Sequence, residues 1–229
     1  MARTARRPLP SGTVNGPRAV MFASALAVIS MVLLVTQINT LTAVLTFASM
    51  IGYAVVYTVW LKHATPQNIV IGGAAGAMPP MLGWSAVTGN ITPDALVLFL
   101  IIFCWTPPHF WALALYRREE YAAADIPMLP VTHGEKHTLL QMLLYTVLLL
   151  AVSMLPFATG LSGWMYLVGA LVLGSTFLMY VVRLYRNYSD NLSRQTFSFS
   201  IQYLAMLFAL MLVDHYQLAL RNILTGVLA

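Results

Sequence analysis

The sequence predicts an all-α integral membrane protein, and three observations carry that prediction. Of its 229 residues, 59% are hydrophobic and only 8% are charged, against roughly 25% charged in an average soluble domain. The apolar residues fall in runs of about 20, the length a helix needs to cross a hydrocarbon core about 30 Å thick. The basic residues collect in alternate connections between those runs. So few charges cannot coat a soluble globule, and a chain this apolar is not disordered. One cysteine, Cys104, lies inside an apolar run and excludes a disulfide framework or a cysteine-built metal site. The net charge of +5 suits basic loops at a membrane surface, and no nucleic-acid partner is expected.

Seven spans are predicted, in order: Arg18 to Thr36, Leu41 to Leu61, Asn68 to Ala86, Asp94 to Leu115, Thr138 to Thr159, Leu161 to Val182, and Phe197 to Ala219. A barrel would show segments of about 10 residues alternating apolar and polar, whereas Leu96 to Leu115 and Leu139 to Leu155 are apolar nearly all round. With the N-terminus on the cytoplasmic side, eleven of the twelve basic residues fall inside and only Arg221 outside. The positive-inside rule thus supports seven spans in that orientation. The start MARTARR is basic like a transit peptide, but Pro8, Pro10 and Gly12 would break the amphipathic helix such a peptide needs. No internal repeat, low-complexity segment or soluble appendage is evident.

Polar groups are scarce and clustered. Trp105 to His137 holds four of the seven acids, Glu119, Glu120, Asp125 and Glu135, and three of the five histidines, His109, His133 and His137. Such a gathering at one membrane interface marks a candidate site. If the fourth span continues to Glu120, helical phase puts His109, Tyr116 and Glu120 on one face, the latter two each within about 20° of His109. Asp125 falls outside that stripe, in a loop that Pro127 and Pro130 enforce.

Plainer readings stand beside the functional ones. Arg117 with Glu120 or Tyr121 makes an ordinary surface pair on a helix end. His109 after Pro107 and Pro108 suits backbone groups freed by a kink. Gly72, Gly73 and Gly76 before Pro79 and Pro80 suit close helix packing or a bend. Asp214 and His215 read as an interfacial pair near the outer end of the last span. A retinal protein would need a lysine in a span, and Lys62 and Lys136 both fall in predicted loops. A transporter would show paired broken helices or a repeat.

Four runs carry a resemblance: GAMPPMLGW (Gly76 to Trp84), WTPPHFWALALYRREEY (Trp105 to Tyr121), IPMLPVTHG (Ile126 to Gly134) and FSFSIQYLAMLFALMLVDHY (Phe197 to Tyr216). They resemble the protoheme IX farnesyltransferases (heme O synthases), a heme-directed branch of the intramembrane aromatic prenyltransferase superfamily. The resemblance implies one prenyltransferase domain over residues 1–229. It also implies a nine-helix bundle around a cavity open to the cytoplasm, with two acidic motifs holding Mg²⁺ on the diphosphate of farnesyl diphosphate. Because MARTARRPLPSG matches the segment after the first acidic motif, seven spans are expected here, without the family's first two helices and that motif. Glu119 and Glu120 stand where the family commonly has Glu-Asp.

The implied reaction moves the farnesyl group to a vinyl group of heme B, giving heme O and diphosphate in the cell inner membrane. Its products serve heme A synthase and terminal oxidase assembly. On this reading Glu120 and Glu119 are the catalytic and metal-binding pair. Arg3, Arg7, Arg117 and Lys136 bind diphosphate, and His109 binds heme. Trp105, Phe110, Trp111 and Tyr121 are candidates to flank the allylic cation, and packing explains them equally well. The alternatives are the same fold with a quinone or chlorin acceptor, or a non-catalytic heme-handling membrane protein.

Overall fold

The computed structural model describes residues 7–61 and 64–227, the stretch 218–227 by its backbone alone. All regular elements among them are helical. Helix α1 (Gly16–Leu33) and helix α2 (Thr40–Ile51) each continue into a wider coil, Leu34–Ile38 and Gly52–Leu61 respectively, with i→i+5 hydrogen bonding. Asn39 separates them and caps α2, accepting from the Thr42 N–H at 2.8 Å. Its side-chain amide donates to the Ser85 carbonyl at 2.9 Å, fixing this corner to the helix that carries Ser85.

Next come α3 (Asn68–Gly76) and α4 (Met78–Thr88), then α5 (Pro93–Tyr116), the short α6 (Arg118–Ala122) and α7 (Leu129–Thr132). Helices α8 (Gly134–Val152), α9 (Leu155–Ala158), α10 (Trp164–Arg186) and α11 (Asp190–Val227) complete the chain. The core is a ring in which α5 packs on α8, α8 on α10, α10 on α11 and α11 back on α5. Trp111, Met142, Phe177, Tyr203 and Leu207 fill it, each almost wholly buried. Helices α3 and α4 lie along another side of α5, and α2 closes over them. Helix α1 buries none of its residues; in a bilayer such an all-apolar surface meets hydrocarbon.

Among the described residues six helices are long and apolar enough to cross a membrane: Gly16–Ile38, Thr40–Leu61, Pro93–Tyr116, Gly134–Ala158, Trp164–Arg186 and Asp190–Gln217. The third expected span, Asn68 to Ala86, is two shorter helices joined at Ala77. Pro79 and Pro80 have no N–H to return to the carbonyls of Ala75 and Gly76, so the ladder must be interrupted there. They are accommodated in the opening turn of α4, where proline costs nothing. The last span begins at Asp190 rather than Phe197, because its polar first turn is helical too.

The fourth span does not reach Glu120. Helix α5 ends at Tyr116, and Arg117 leaves helical geometry with φ −116° and ψ 18°. Beyond it Arg118 pairs with Glu135 of α8 at 3.3 Å, which ties the separate helix α6 toward α8. Asp214 and His215 do not pair either. The Asp214 carboxylate, 3% exposed, accepts from the backbone N–H of Gly163 and from that of Tyr166, and so caps α10 from a neighbouring helix.

Candidate active site

Two recesses lie along α5 at different depths. The deeper is an apolar cavity of about 300 Å³, with Tyr53, Tyr57, Gly72, Gly73, Trp105 and Phe110 in its wall. The wide coil Gly52–Leu61 brings the rings of Tyr53 and Tyr57 into a stack 5.3 Å apart. Wide coils of this kind recur at functional sites because they re-aim side chains. A Cβ built on Gly72 would lie 2.3 Å from Tyr57 Cδ2, and one on Gly73 would lie 3.0 Å from Thr106 Cγ2. The close-packing reading of this glycine pair is correct, and the approach of α3 shapes the cavity.

The second recess, about 190 Å³, sits where α5 ends. Tyr116, Arg117, Arg118, Glu119, Glu120 and Asp190 line it. Glu119 and Glu120 reach it from α6, and Asp190 from the first turn of α11. The stripe expected from a continuous helix is broken, yet Tyr116 and Glu120 still share this recess. Asp190 Oδ1 accepts from the Tyr188 hydroxyl at 2.6 Å. Burial, then this bond to Asp190, hold the Tyr188 hydroxyl well above the usual tyrosine range.

A ladder of rings joins the two depths. His109 stacks on Trp105 at 4.2 Å and on Phe197 at 4.5 Å, and Phe197 meets Tyr116 edge to face at 6.4 Å. Trp105 belongs to the cavity wall and Tyr116 to the polar recess. Kink repair is not the task of His109: its Nδ1 lies 2.6 Å from Ser200 Oγ. Ser200 Oγ also donates to the Phe197 carbonyl at 2.6 Å. A hydroxyl has one proton, so His109 Nδ1 is the donor to Ser200 and its Nε2 carries the lone pair. That tautomer suits a metal ligand or a proton acceptor.

Of the expected site residues, the structure brings Glu119, Glu120 and Arg117 together and places His109 about two turns deeper along α5. Arg7 and Lys136 are exposed and do not line the recess. Arg3 lies outside the described residues, as does Lys62. Arg117 forms no ion pair with Glu120; the one ion pair among the described residues is Arg118 with Glu135. Trp105 and Phe110 line the cavity, whereas Trp111 is packed in the core against Tyr145 and Tyr121 is buried outside both linings. Sequence reasoning does not single out Asp190, which lines the recess, or Arg194, which lies over the ring of Tyr116. Both lie in the polar stretch before the last predicted span, and the charges of that stretch are the signal that could have found them.

Comparison with known proteins places this arrangement. The model of the UbiA prenyltransferase family matches residues 1–213. Over 216 residues the chain is 64% identical to a protoheme IX farnesyltransferase from Thiobacillus denitrificans and 62% identical to one from Marinobacter nauticus. In both cases the match covers 94% of this chain and 72% of the relative. A relative of the same description from Nitrosospira multiformis is 59% identical with the same coverage. The fold matches a solved structure of a digeranylgeranylglyceryl phosphate synthase with a TM-score of 0.80 at 20% identity, over 94% of this chain and 75% of that one. With the family model spanning nearly the whole chain and relatives this similar, the chain belongs to the UbiA prenyltransferase family.

Proposed function

We propose that the chain transfers the farnesyl group of farnesyl diphosphate to a vinyl group of heme B, forming heme O and releasing diphosphate. The observation that carries this reading is the pairing of an aromatic-walled apolar cavity with a charged recess, joined by the ladder Trp105–His109–Phe197–Tyr116. An isoprenoid diphosphate has those two halves, and the sequence relatives bear the name of this reaction.

The diphosphate belongs in the recess. Arg117 donates to its oxygens there, in the forked geometry a guanidinium offers. Glu119 and Glu120 are hard oxygen donors, and among the described residues no cluster of three or more His, Cys, Asp or Glu gathers to form a metal cage. That donor set fits Mg²⁺, which commonly uses one or two carboxylates and completes its shell with substrate phosphates and water. Glu120, assisted by Glu119, would hold the ion, which when bound neutralises charge on the departing diphosphate.

The farnesyl chain lies in the cavity, away from water. Trp105 and Phe110 offer ring faces to the allylic cation, worth about 0.5 to 2 kcal/mol each. As the C–O bond to diphosphate breaks and its electron pair leaves with the diphosphate, the heme vinyl carbon bonds to the allylic cation; water then adds to the new carbocation and gives up one proton to solvent, leaving the hydroxyethyl side chain. His109, with Nε2 left bare by its bond to Ser200, is the heme-facing residue of this reading, as ligand to the iron. The multi-pass chain sits in a bacterial inner membrane with its charged recess cytoplasmic, and heme A synthase and terminal oxidase assembly receive the product.

The test is to incubate membranes carrying the chain with heme B, farnesyl diphosphate and Mg²⁺, then extract and weigh the hemes. A new heme heavier by a hydrated farnesyl group is expected. Prenylation of a quinone or chlorin precursor with heme B untouched would overturn the acceptor, and heme binding without any transfer would favour a non-catalytic heme handler.

A further inference from the structure

We infer that Arg194, on the last helix, is a diphosphate-binding residue, and that it forms with Arg117 a two-guanidinium clamp set in register by the ring of Tyr116. The inference rests on the reading above for the identity of the anion, but its geometry stands independently. The Arg194 guanidinium lies over the Tyr116 ring, 5.1 Å from its centroid, and the Arg117 guanidinium lies 5.6 Å from the same centroid. One aromatic ring therefore holds two positive groups that would otherwise repel each other.

Neither cation has a carboxylate partner among the described residues, where Arg118 and Glu135 form the one ion pair. The recess beside them holds two arginines, Arg117 and Arg118, against three carboxylates, Glu119, Glu120 and Asp190. Arg118 is already engaged with Glu135, so Arg117 alone would face a bound polyanion among three acids. A second available guanidinium is what that balance lacks, and Arg194 stands beside the ring that forms part of the recess wall.

The placement is also rigid. Ser193 Oγ donates to the Ala112 carbonyl at 2.8 Å, pinning the backbone next to Arg194 against α5 one turn before Tyr116. Phe197, one turn further along α11, meets the Tyr116 ring edge to face. Asp190, one turn before Arg194, is held by the Tyr188 hydroxyl. Arg194 thus reaches the Tyr116 ring from α11 while Arg117 reaches it from the end of α5, and in the clamp a diphosphate beside that ring would receive a fork from each.

The experiment measures binding of inorganic diphosphate to the full chain in lipid nanodiscs by calorimetry, alongside KM for farnesyl diphosphate and for heme B in membranes. Arg194→Ala should raise the Kd of diphosphate and the KM of farnesyl diphosphate by about ten-fold or more, the loss expected for a charge-assisted hydrogen bond, and leave the KM of heme B unchanged. Arg194→Lys keeps the charge but not the planar fork and should fall between wild type and Arg194→Ala. Tyr116→Leu should weaken diphosphate binding, and Tyr116→Phe should not, since the ring face is what matters.

If the wild-type chain makes farnesylated heme and Arg194→Ala, melting at the wild-type temperature, binds diphosphate as tightly as wild type, the clamp is overturned. Should Arg194→Ala fail to fold, the lysine variant decides: unchanged diphosphate affinity overturns the clamp, and a several-fold loss supports it. If the wild-type chain makes no farnesylated heme yet binds diphosphate in an Arg194-dependent way, the clamp stands and the reaction assigned above fails.

Discussion

Two polar regions of the bundle, the Asp214 network where α10 begins and the recess where α5 ends, use their side chains differently. Where α10 begins, Asp214 and the hydroxyls around it are bonded inside the fold, although Ser162 Oγ, buried beside the cap, has no partner among the described residues. Asp214 caps α10, the Tyr166 hydroxyl donates to the Ser153 carbonyl at 2.9 Å, and Ser153 Oγ bonds the Tyr203 hydroxyl at 2.7 Å. At the other end Arg117, Glu119 and Glu120, which line one recess, and Arg194, over the Tyr116 ring in its wall, have no ion-pair partner among the described residues. In a membrane protein a polar group already bonded inside the fold holds helices together. One left available at an interface is free to meet a ligand. The contrast, more than the number of charges, separates scaffold from site.

Glu120→Gln gives the largest effect that this contrast predicts. If the carboxylate holds the ion on the leaving group, heme farnesylation should fall by roughly 10² or more, while the melting temperature stays put because Glu120 is exposed and unpaired. Thorough chelation of Mg²⁺ should stop the wild-type reaction as well. Transfer that survives either treatment returns Glu120 to an ordinary solvated helix end.

Asp214→Ala should do the reverse. Removing the carboxylate leaves the Gly163 and Tyr166 N–H groups without their acceptor, which should lower stability by about 2 kcal/mol. Turnover below the new melting temperature should not change. Thermal unfolding in nanodiscs measures the first and heme extraction the second. A melting temperature equal to wild type would show that the two ends do not differ as described.

Much of the scaffold was legible in the sequence, because runs of about 20 apolar residues and the skew of basic residues are long-range patterns that local detail cannot hide. Six spans are helices of the expected length. The exception, Asn68 to Ala86, had its break written in Pro79 and Pro80, but average hydropathy does not register a missing N–H. The site was partly legible. Glu119, Glu120 and Arg117 do meet in one recess, yet the continuous stripe from His109 to Glu120 assumed a helix that stops at Tyr116. Asp190 and Arg194 join the recess region from a helix more than seventy residues away in the chain. Such long-range meetings depend on how helices pack, which no local spacing encodes. The tautomer of His109 likewise depends on Ser200, a residue unremarkable in the sequence.

Gly72→Ala sharpens the comparison from the cavity side. The new methyl group would meet the Tyr57 ring at 2.3 Å, so the ring must turn into the cavity or α3 must withdraw. Overpacking of this kind costs about 1 kcal/mol at the low end. KM for farnesyl diphosphate should rise several-fold, with the diphosphate affinity of the recess unchanged. An equal loss of inorganic diphosphate binding would mean that the cavity and the recess are not separable halves of the site.

Tyr188→Phe should give the smallest effect, and it is read through pH. The neutral hydroxyl donates to Asp190, and the folded protein holds that proton more tightly than an unfolded chain does. A group whose folded value is raised contributes stability that is complete below its unfolded value, about 10 for tyrosine, and that fades as pH climbs toward the folded value. Wild type should therefore lose stability above about pH 10 more steeply than Tyr188→Phe, which has no proton to lose there. Near neutral pH the variant should be weaker by about 0.5 kcal/mol, one modest hydrogen bond at a partly exposed site. Melting curves collected in steps from pH 8 to about 11 would check both halves. Parallel curves above pH 10 would show that the Tyr188 proton does not help hold Asp190 at the recess.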